Sequence, residues 1–66
     1  MIYAKALRVA LAKEGKRHKW LASQLKTNQA SISRYCAGDA VPRTDRQEEI
    51  AKLFGLSLSE FYALGE

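Results

Sequence analysis

Apolar residues recur at helical spacing along most of this chain, and that periodicity restricts its fold more than any other feature. In residues 2–11, two sets of apolar side chains repeat at intervals of four, so together they form one stripe along a helix. β-branched residues are sparse, and only one proline and four glycines interrupt the chain. The pattern predicts an all-α fold of short helices joined by short loops, without strands.

Start and stop residues divide the first part of the chain into three helices. Gly15 is suited to end the first helix, because glycine readily adopts the left-handed conformation of a C-cap. A second helix covers about residues 17–25 and lacks a good N-cap, since Arg17 stands at that position. Asn28 is a good N-cap, so a third helix is predicted over about residues 29–36.

Two further helices are predicted in the second part of the chain. Thr44-x-x-Gln47 and Ser57-x-x-Glu60 both match the capping box, in which a hydroxyl and a side chain three residues later bond each other's backbone. They predict the start of a fourth and a fifth helix, the fourth ending at Gly55. The apolar residues that we expect to be buried there are Ile50, Leu53, Phe54, Leu58 and Phe61.

The chain's length and composition exclude several kinds of protein. Sixty-six residues allow one small domain, residues 1–66, and hold one cysteine and one histidine, too few for an internal disulfide or a four-ligand zinc site. No catalytic triad pattern, paired-carboxylate site or phosphate-cradling glycine loop is visible, which predicts no enzyme and no cofactor. No stretch resembles a membrane span or a signal peptide. We expect a cytoplasmic domain without a membrane or small-molecule partner.

Charge is distributed unevenly along the chain. Residues 1–38 carry eight Lys and Arg against one Glu, a net charge of +7, whereas residues 39–66 carry three against six, a net charge of −3. Such asymmetry is typical of a protein with a basic face for a polyanion. An ordinary solvated surface has a similar composition, so charge alone leaves both interpretations open.

Two segments carry a specific family resemblance. Residues 20–38, WLASQLKTNQASISRYCAG, followed by Pro42, resemble the lambda repressor/Cro-type, or XRE, helix-turn-helix family, which typically reads LA-x-x-L-G-V-S-x-x-T-I-S-R-Y-E-x-G-x-x-x-P. Residues 50–61, IAKLFGLSLSEF, resemble that family's usual ending, I-A-x-x-L-G-V-S-L-x-E-L. The resemblance covers nearly the whole chain. It implies a compact five-helix, lambda-repressor-like bundle with a helix-turn-helix over about residues 17–37.

The resemblance also implies a function, that of a sequence-specific regulator of transcription that binds double-stranded DNA. We expect a prokaryotic or phage repressor whose recognition helix, about residues 29–36, enters the major groove of an operator. Glutamine pairs with adenine, arginine with guanine or with phosphate, and alanine contacts a thymine methyl. The implied base-reading residues are Gln29, Ala30, Ser33 and Arg34.

Phosphate contacts are implied beside three helix N-termini, where backbone N–H groups favour an anion. The candidates are Arg17, His18, Lys19, Asn28, Ser31, Arg43 and Thr44. For His18, a surface position without a partner is an equally good interpretation. Asp39 lies in the loop that leads to Arg43, where the family is often basic, and this weakens the case for a phosphate contact there.

A homodimer, at least on DNA, is also implied, because one such domain makes few contacts and the family binds paired half-sites. The family's C-terminal helix often supplies the dimer contact, which here implies Tyr62 and Leu64. Both residues fit equally well as caps on a small core.

Departures from the family pattern make further predictions. Leu11 and Cys36 stand where the family often has an Arg–Glu pair, so we expect them to touch in the core, with Cys36 as a core residue rather than a reactive thiol. Lys26 replaces the glycine of the turn and is strained by about 1 kcal/mol if its φ is positive. Trp20 replaces a polar residue, and we favour a role in covering the core over a partner contact.

Two alternative functions share this fold. A DNA-binding antitoxin would use the same mechanism. A protein-interaction module would use the fold without binding DNA, and it would show no salt-dependent affinity for duplexes. An RNA-binding protein would be expected to expose aromatic side chains for stacking, whereas the aromatic residues here mostly fall on buried stripes.

Overall fold

The chain folds into five α-helices in a computed structural model that describes residues 2–66. They are α1 (Ile2–Glu14), α2 (His18–Leu25), α3 (Gln29–Ala37), α4 (Thr44–Leu53) and α5 (Leu58–Ala63). No strand occurs in this part of the chain, which confirms the predicted all-α class. None of these helices is long and apolar enough to cross a bilayer.

Every helix contributes at least one large, fully buried side chain to a single core. α1 packs against α3 and α5, α2 packs against α3, and α4 packs against α5. The arrangement is nearly equal in its three dimensions, 26 × 23 × 22 Å. Because each helix hides its stripe against at least one other, the helices support one another in a single compact unit. The five central side chains are Leu7, Leu21, Ile32, Ile50 and Phe61.

Two of the predicted helix N-caps are confirmed. The Asn28 side chain accepts a hydrogen bond from the Ser31 backbone N–H at 2.9 Å. At the start of α5, Ser57 Oγ accepts from the Glu60 N–H at 3.1 Å, while the Glu60 carboxylate accepts from the Ser57 N–H at 2.8 Å. The second pair forms a complete capping box.

The capping box predicted at the start of α4 is wrong. Arg43 takes the extended backbone conformation of the N-cap and forms no side-chain cap; the Asp45 carboxylate accepts from the first-turn N–H of Arg46 at 2.9 Å. Thr44 therefore lies inside the first turn, one position too late for its hydroxyl to act as the N-cap acceptor. Gln47 is buried instead, and its Nε2 donates to the Pro42 carbonyl at 2.8 Å.

The expected burial of Leu53 is also wrong. Leu53 is 36% exposed, because the buried stripe of α4 runs through Gln47, Ile50 and Ala51 and leaves Leu53 at its edge. Phe54 is only partly buried.

Leu11 and Cys36 both lie in the core, as expected from their shared departure from the family pattern. Each is 5% exposed and belongs to the same buried cluster. Burial raises the pKa of the Cys36 thiol, which keeps it protonated and supports its role as a core residue. The Arg8 guanidinium donates to the backbone carbonyl of Cys36, so a polar link between α1 and α3 persists without an ion pair.

Candidate nucleic-acid interface

The turn between α2 and α3 positions one helix against the other. Lys26 has φ 54° and ψ 45° and is the only non-glycine residue with positive φ among residues 2–66. Its N–H and that of Thr27 bond the carbonyls of Ser23 and Ala22, which ends α2 in a tight left-handed turn. The condition set for strain at Lys26, a positive φ, is therefore met.

The four predicted base-reading residues lie on one exposed face of α3. They occupy positions i, i+1, i+4 and i+5, while Ile32 and Cys36 face the core. This helix carries no carboxylate, and its only charged residue is Arg34. We call these four residues the α3 outer face: Gln29, Ala30, Ser33 and Arg34.

Asn28 and Ser31 meet at the beginning of α3. Asn28 is exposed, and its side-chain oxygen is used by the cap, which leaves the two N–H donors of its amide free to reach outward. Ser31 is partly buried and contributes its backbone N–H to the same bond. Of this pair, Asn28 is the better placed for a phosphate.

The start of α2 combines exposed cations with an uncapped helix end. Arg17 is the N-cap residue and forms no side-chain cap. Both Arg17 and Lys19 are exposed, whereas His18 is partly buried. Because the N–H groups of a helix's first turn attract anions, this end of α2 suits a phosphate oxygen.

A hydrogen bond joins the start of α2 to the α3 outer face. His18 Nδ1 lies 3.1 Å from Ser33 Oγ. The structure thus brings together a predicted phosphate-binding residue and a predicted base-reading residue. The sequence did not indicate this contact, because the two residues are 15 positions apart and belong to different helices.

The start of α4 also lacks a cap, and its predicted site residues, Arg43 and Thr44, are exposed. The Arg46 side chain donates to the Leu25 carbonyl at 3.3 Å, which holds this end of α4 near the end of α2. Asp45 lies in the first turn of α4 and places a carboxylate beside Arg43 and Thr44. Within residues 2–66, no side-chain hydrogen bond or salt bridge joins Arg43 or Thr44 to the α3 outer face.

Tyr62 and Leu64, the predicted dimer contacts, are partly buried against their own core. The Tyr62 hydroxyl donates to Gln47 Oε1, and its ring lies edge-on to that of Tyr3, with centroids 6.0 Å apart. These contacts stabilise α5 within one chain and leave only part of each side chain for a partner.

Two arginines outside the helix-turn-helix bind the last turns of its helices, and neither contact was predicted from the sequence. Arg8 reaches the carbonyl of Cys36 at the end of α3, and Arg46 reaches that of Leu25 at the end of α2. Cations are favourable at helix C-termini. No spacing signal could reveal these contacts, since the partners are 28 and 21 residues apart.

Trp20 covers the core, as favoured from the sequence. Its ring packs against that of Phe54 with centroids 5.8 Å apart, and Lys16 Nζ lies 5.1 Å from the Trp20 centroid. Within residues 2–66, no group of three or more His, Cys, Asp or Glu side chains is arranged to hold a metal ion.

Comparison with known proteins agrees with this geometry. The model of a family described as "Helix-turn-helix domain" matches residues 2–64, nearly the whole chain. No significant match was found among curated proteins or solved structures.

Proposed function

We propose that this chain, which belongs to the helix-turn-helix domain family, binds double-stranded DNA through α3 and acts as a sequence-specific regulator of transcription. The α3 outer face carries the proposal: it is exposed, free of carboxylates and held by a packed core. Small domains of this family are typical of DNA-binding proteins without enzymatic activity. The resemblance to the lambda repressor/Cro-type, or XRE, pattern supports assignment to that group, as a prokaryotic or phage repressor.

The α3 outer face has the chemistry for direct reading of bases in the major groove. The Gln29 amide can donate to and accept from adenine, and the Arg34 guanidinium can donate twice to guanine or bind a phosphate. Ala30 offers a methyl group to thymine. Each bidentate contact contributes about 1–3 kcal/mol of discrimination against a wrong base.

The uncapped helix starts supply the contacts that do not depend on sequence. Arg17 and Lys19 flank the N-terminus of α2, and Arg43 and Thr44 lie at that of α4. Phosphates bound at these ends would orient α3 in the groove, because backbone contacts set the register of a protein on the duplex.

We also propose a single domain of residues 1–66 that binds a pseudo-palindromic operator as a homodimer. Half-sites about one helical turn apart would match the two-fold symmetry of such a dimer. Tyr62 and Leu64 are the candidate contacts, through the parts of their side chains that the core leaves exposed. Sedimentation velocity with and without the selected duplex tests this part of the proposal.

Selection of bound sites from a random duplex library, followed by titration at two salt concentrations, tests the function. We expect an enriched motif and an affinity that falls steeply with salt, because each phosphate contact releases counterions. Arg34→Ala should weaken binding to the selected site by about 1–3 kcal/mol. Lys5→Ala is the matched control, since Lys5 is exposed on α1 outside the proposed interface. A chain without duplex affinity would instead support a protein-interaction module.

A further inference from the structure

We infer that His18 determines which bases Ser33 selects, by setting whether the Ser33 hydroxyl donates or accepts a hydrogen bond in the major groove. The inference rests on the proposed function. Its structural basis is the contact between His18 Nδ1 and Ser33 Oγ at 3.1 Å. Ser33 is exposed on the α3 outer face, and His18 is partly buried behind it at the start of α2.

A hydroxyl group has one hydrogen to donate and two lone pairs that accept. When neutral His18 accepts at Nδ1, the Ser33 hydrogen is used and only lone pairs remain for a base. Ser33 then suits the amino groups of adenine and cytosine, which donate in the major groove. An imidazolium can only donate. Protonated His18 therefore makes Ser33 its acceptor and frees the hydroxyl hydrogen for guanine or for thymine O4.

The charged groups around His18 are basic. Arg17 and Lys19 flank it in the chain, and Arg34 follows Ser33 on α3. The only ion pair among the described residues lies within α4, so no carboxylate pairs with the imidazole. Among side chains, an unperturbed imidazole is the one that changes charge between about pH 5 and pH 8.

Among the described residues, no acidic side chain forms a hydrogen bond or an ion pair with His18. Phe54, the residue after α4, packs on Trp20, and Arg46 of α4 bonds the carbonyl at the other end of α2. The segment after α1 contributes Lys16, whose ammonium lies over Trp20. A change at His18 therefore acts first on Ser33, its one hydrogen-bond partner among the described side chains.

The role inferred for His18 changes base preference, whereas a phosphate contact by His18 would change overall affinity. An added positive charge near the DNA backbone strengthens binding to all sequences alike. A change in whether the Ser33 hydroxyl donates or accepts alters the base preference at one base pair and leaves the preference at the others unchanged. Base preference as a function of pH therefore separates the two roles.

Site selection at about pH 5.5 and about pH 8 tests the inference with the wild type, Ser33→Ala and His18→Asn. In the wild type, we expect the preference at one base pair to shift from adenine or cytosine towards guanine or thymine as pH falls. The ratio of affinities for duplexes differing there should change by about two- to tenfold. The shift should vanish in Ser33→Ala, which lacks the hydroxyl, and in His18→Asn, whose amide does not titrate.

Two results would overturn the inference alone: a wild-type motif that is the same at both pH values, or a shift that persists in Ser33→Ala. Failure to enrich any duplex at either pH would overturn the proposed function and this inference with it. A measurement without DNA adds an independent check. The ¹⁵N signal of His18 Nδ1 at about pH 8 should differ between the folded wild type and Ser33→Ala, and identical signals would also refute the contact.

Discussion

Helices α2 to α5 begin in two different ways. α3 and α5 start with side-chain caps from Asn28 and Ser57, whereas α2 and α4 start at Arg17 and Arg43, which cap nothing. An absent cap costs about 1 kcal/mol of stability. The two uncapped ends carry exposed arginines and coincide with predicted phosphate sites. The contrast indicates that α2 and α4 lack the N-cap bond that Asn28 and Ser57 supply to α3 and α5, which leaves more of their first-turn N–H groups for an external anion.

Replacing the arginine at an uncapped end should separate binding from stability. Arg17→Asp provides an N-cap acceptor for α2 and should stabilise the fold by about 1 kcal/mol. The same change should weaken duplex binding by about 1.5–3 kcal/mol, through loss of a charge-assisted contact and repulsion of phosphate. Thermal unfolding and fluorescence titration with the selected duplex measure the two effects.

Arg43→Asp should behave in the same way at the start of α4. Lys5→Asp makes the same change in charge outside the proposed interface and should reduce affinity only weakly. Equal losses in Arg17→Asp and Lys5→Asp would mean that overall charge, and not the uncapped helix end, governs binding.

Removing the side-chain caps of α3 and α5 tests the same contrast between capped and uncapped helix starts. Ser57→Ala should destabilise the fold by about 1 kcal/mol and leave the affinity of the folded protein for DNA unchanged. Asn28→Ala should cost a similar amount of stability and, in addition, reduce affinity, because Asn28 borders the α3 outer face. Urea unfolding and duplex titration measure both quantities. An affinity loss in Ser57→Ala equal to that in Asn28→Ala would contradict the expectation that the start of α3, and not that of α5, borders the DNA.

A substitution in the turn between α2 and α3 should stabilise the fold without changing a capped or an uncapped helix start. Lys26 holds a left-handed conformation that is costly for a residue with a Cβ atom. Lys26→Gly should therefore raise the free energy of unfolding by about 1 kcal/mol, partly offset by the greater freedom of glycine in the unfolded chain. Lys26→Ala is the control, since it removes the charge but keeps the Cβ atom. A gain of equal size in both variants would assign the effect to charge.

The smallest expected effect is the pH dependence of the α5 cap. The backbone N–H and the side chain of Ser57 lower the pKa of Glu60. A carboxyl group whose pKa is lower in the folded state stabilises the fold above its unfolded pKa, about 4.3, and that contribution disappears as pH falls through the folded value. Urea unfolding at about pH 6 and about pH 3 should show a smaller difference in Glu60→Gln than in the wild type. An unchanged difference would mean that other carboxylates account for the acid sensitivity.

Predictions from sequence succeeded where the interaction is local. The five helices and the caps at Asn28 and Ser57 depend on residues within about four positions of one another. The start of α4 failed for a specific reason. The N-cap fell on Arg43, and the Gln47 side chain turned to the Pro42 carbonyl, a choice that the motif alone does not contain.

The sequence by itself determined the helices, the buried stripe of α1 and the composition of the α3 outer face, because periodicity and capping act over a few residues. Only the tertiary structure decided the contacts of Arg8, Arg46 and His18, which join residues 28, 21 and 15 positions apart. Such contacts depend on how the helices pack, and packing depends on the whole core at once. The link between His18 and Ser33 therefore became visible only when α2 and α3 were placed side by side.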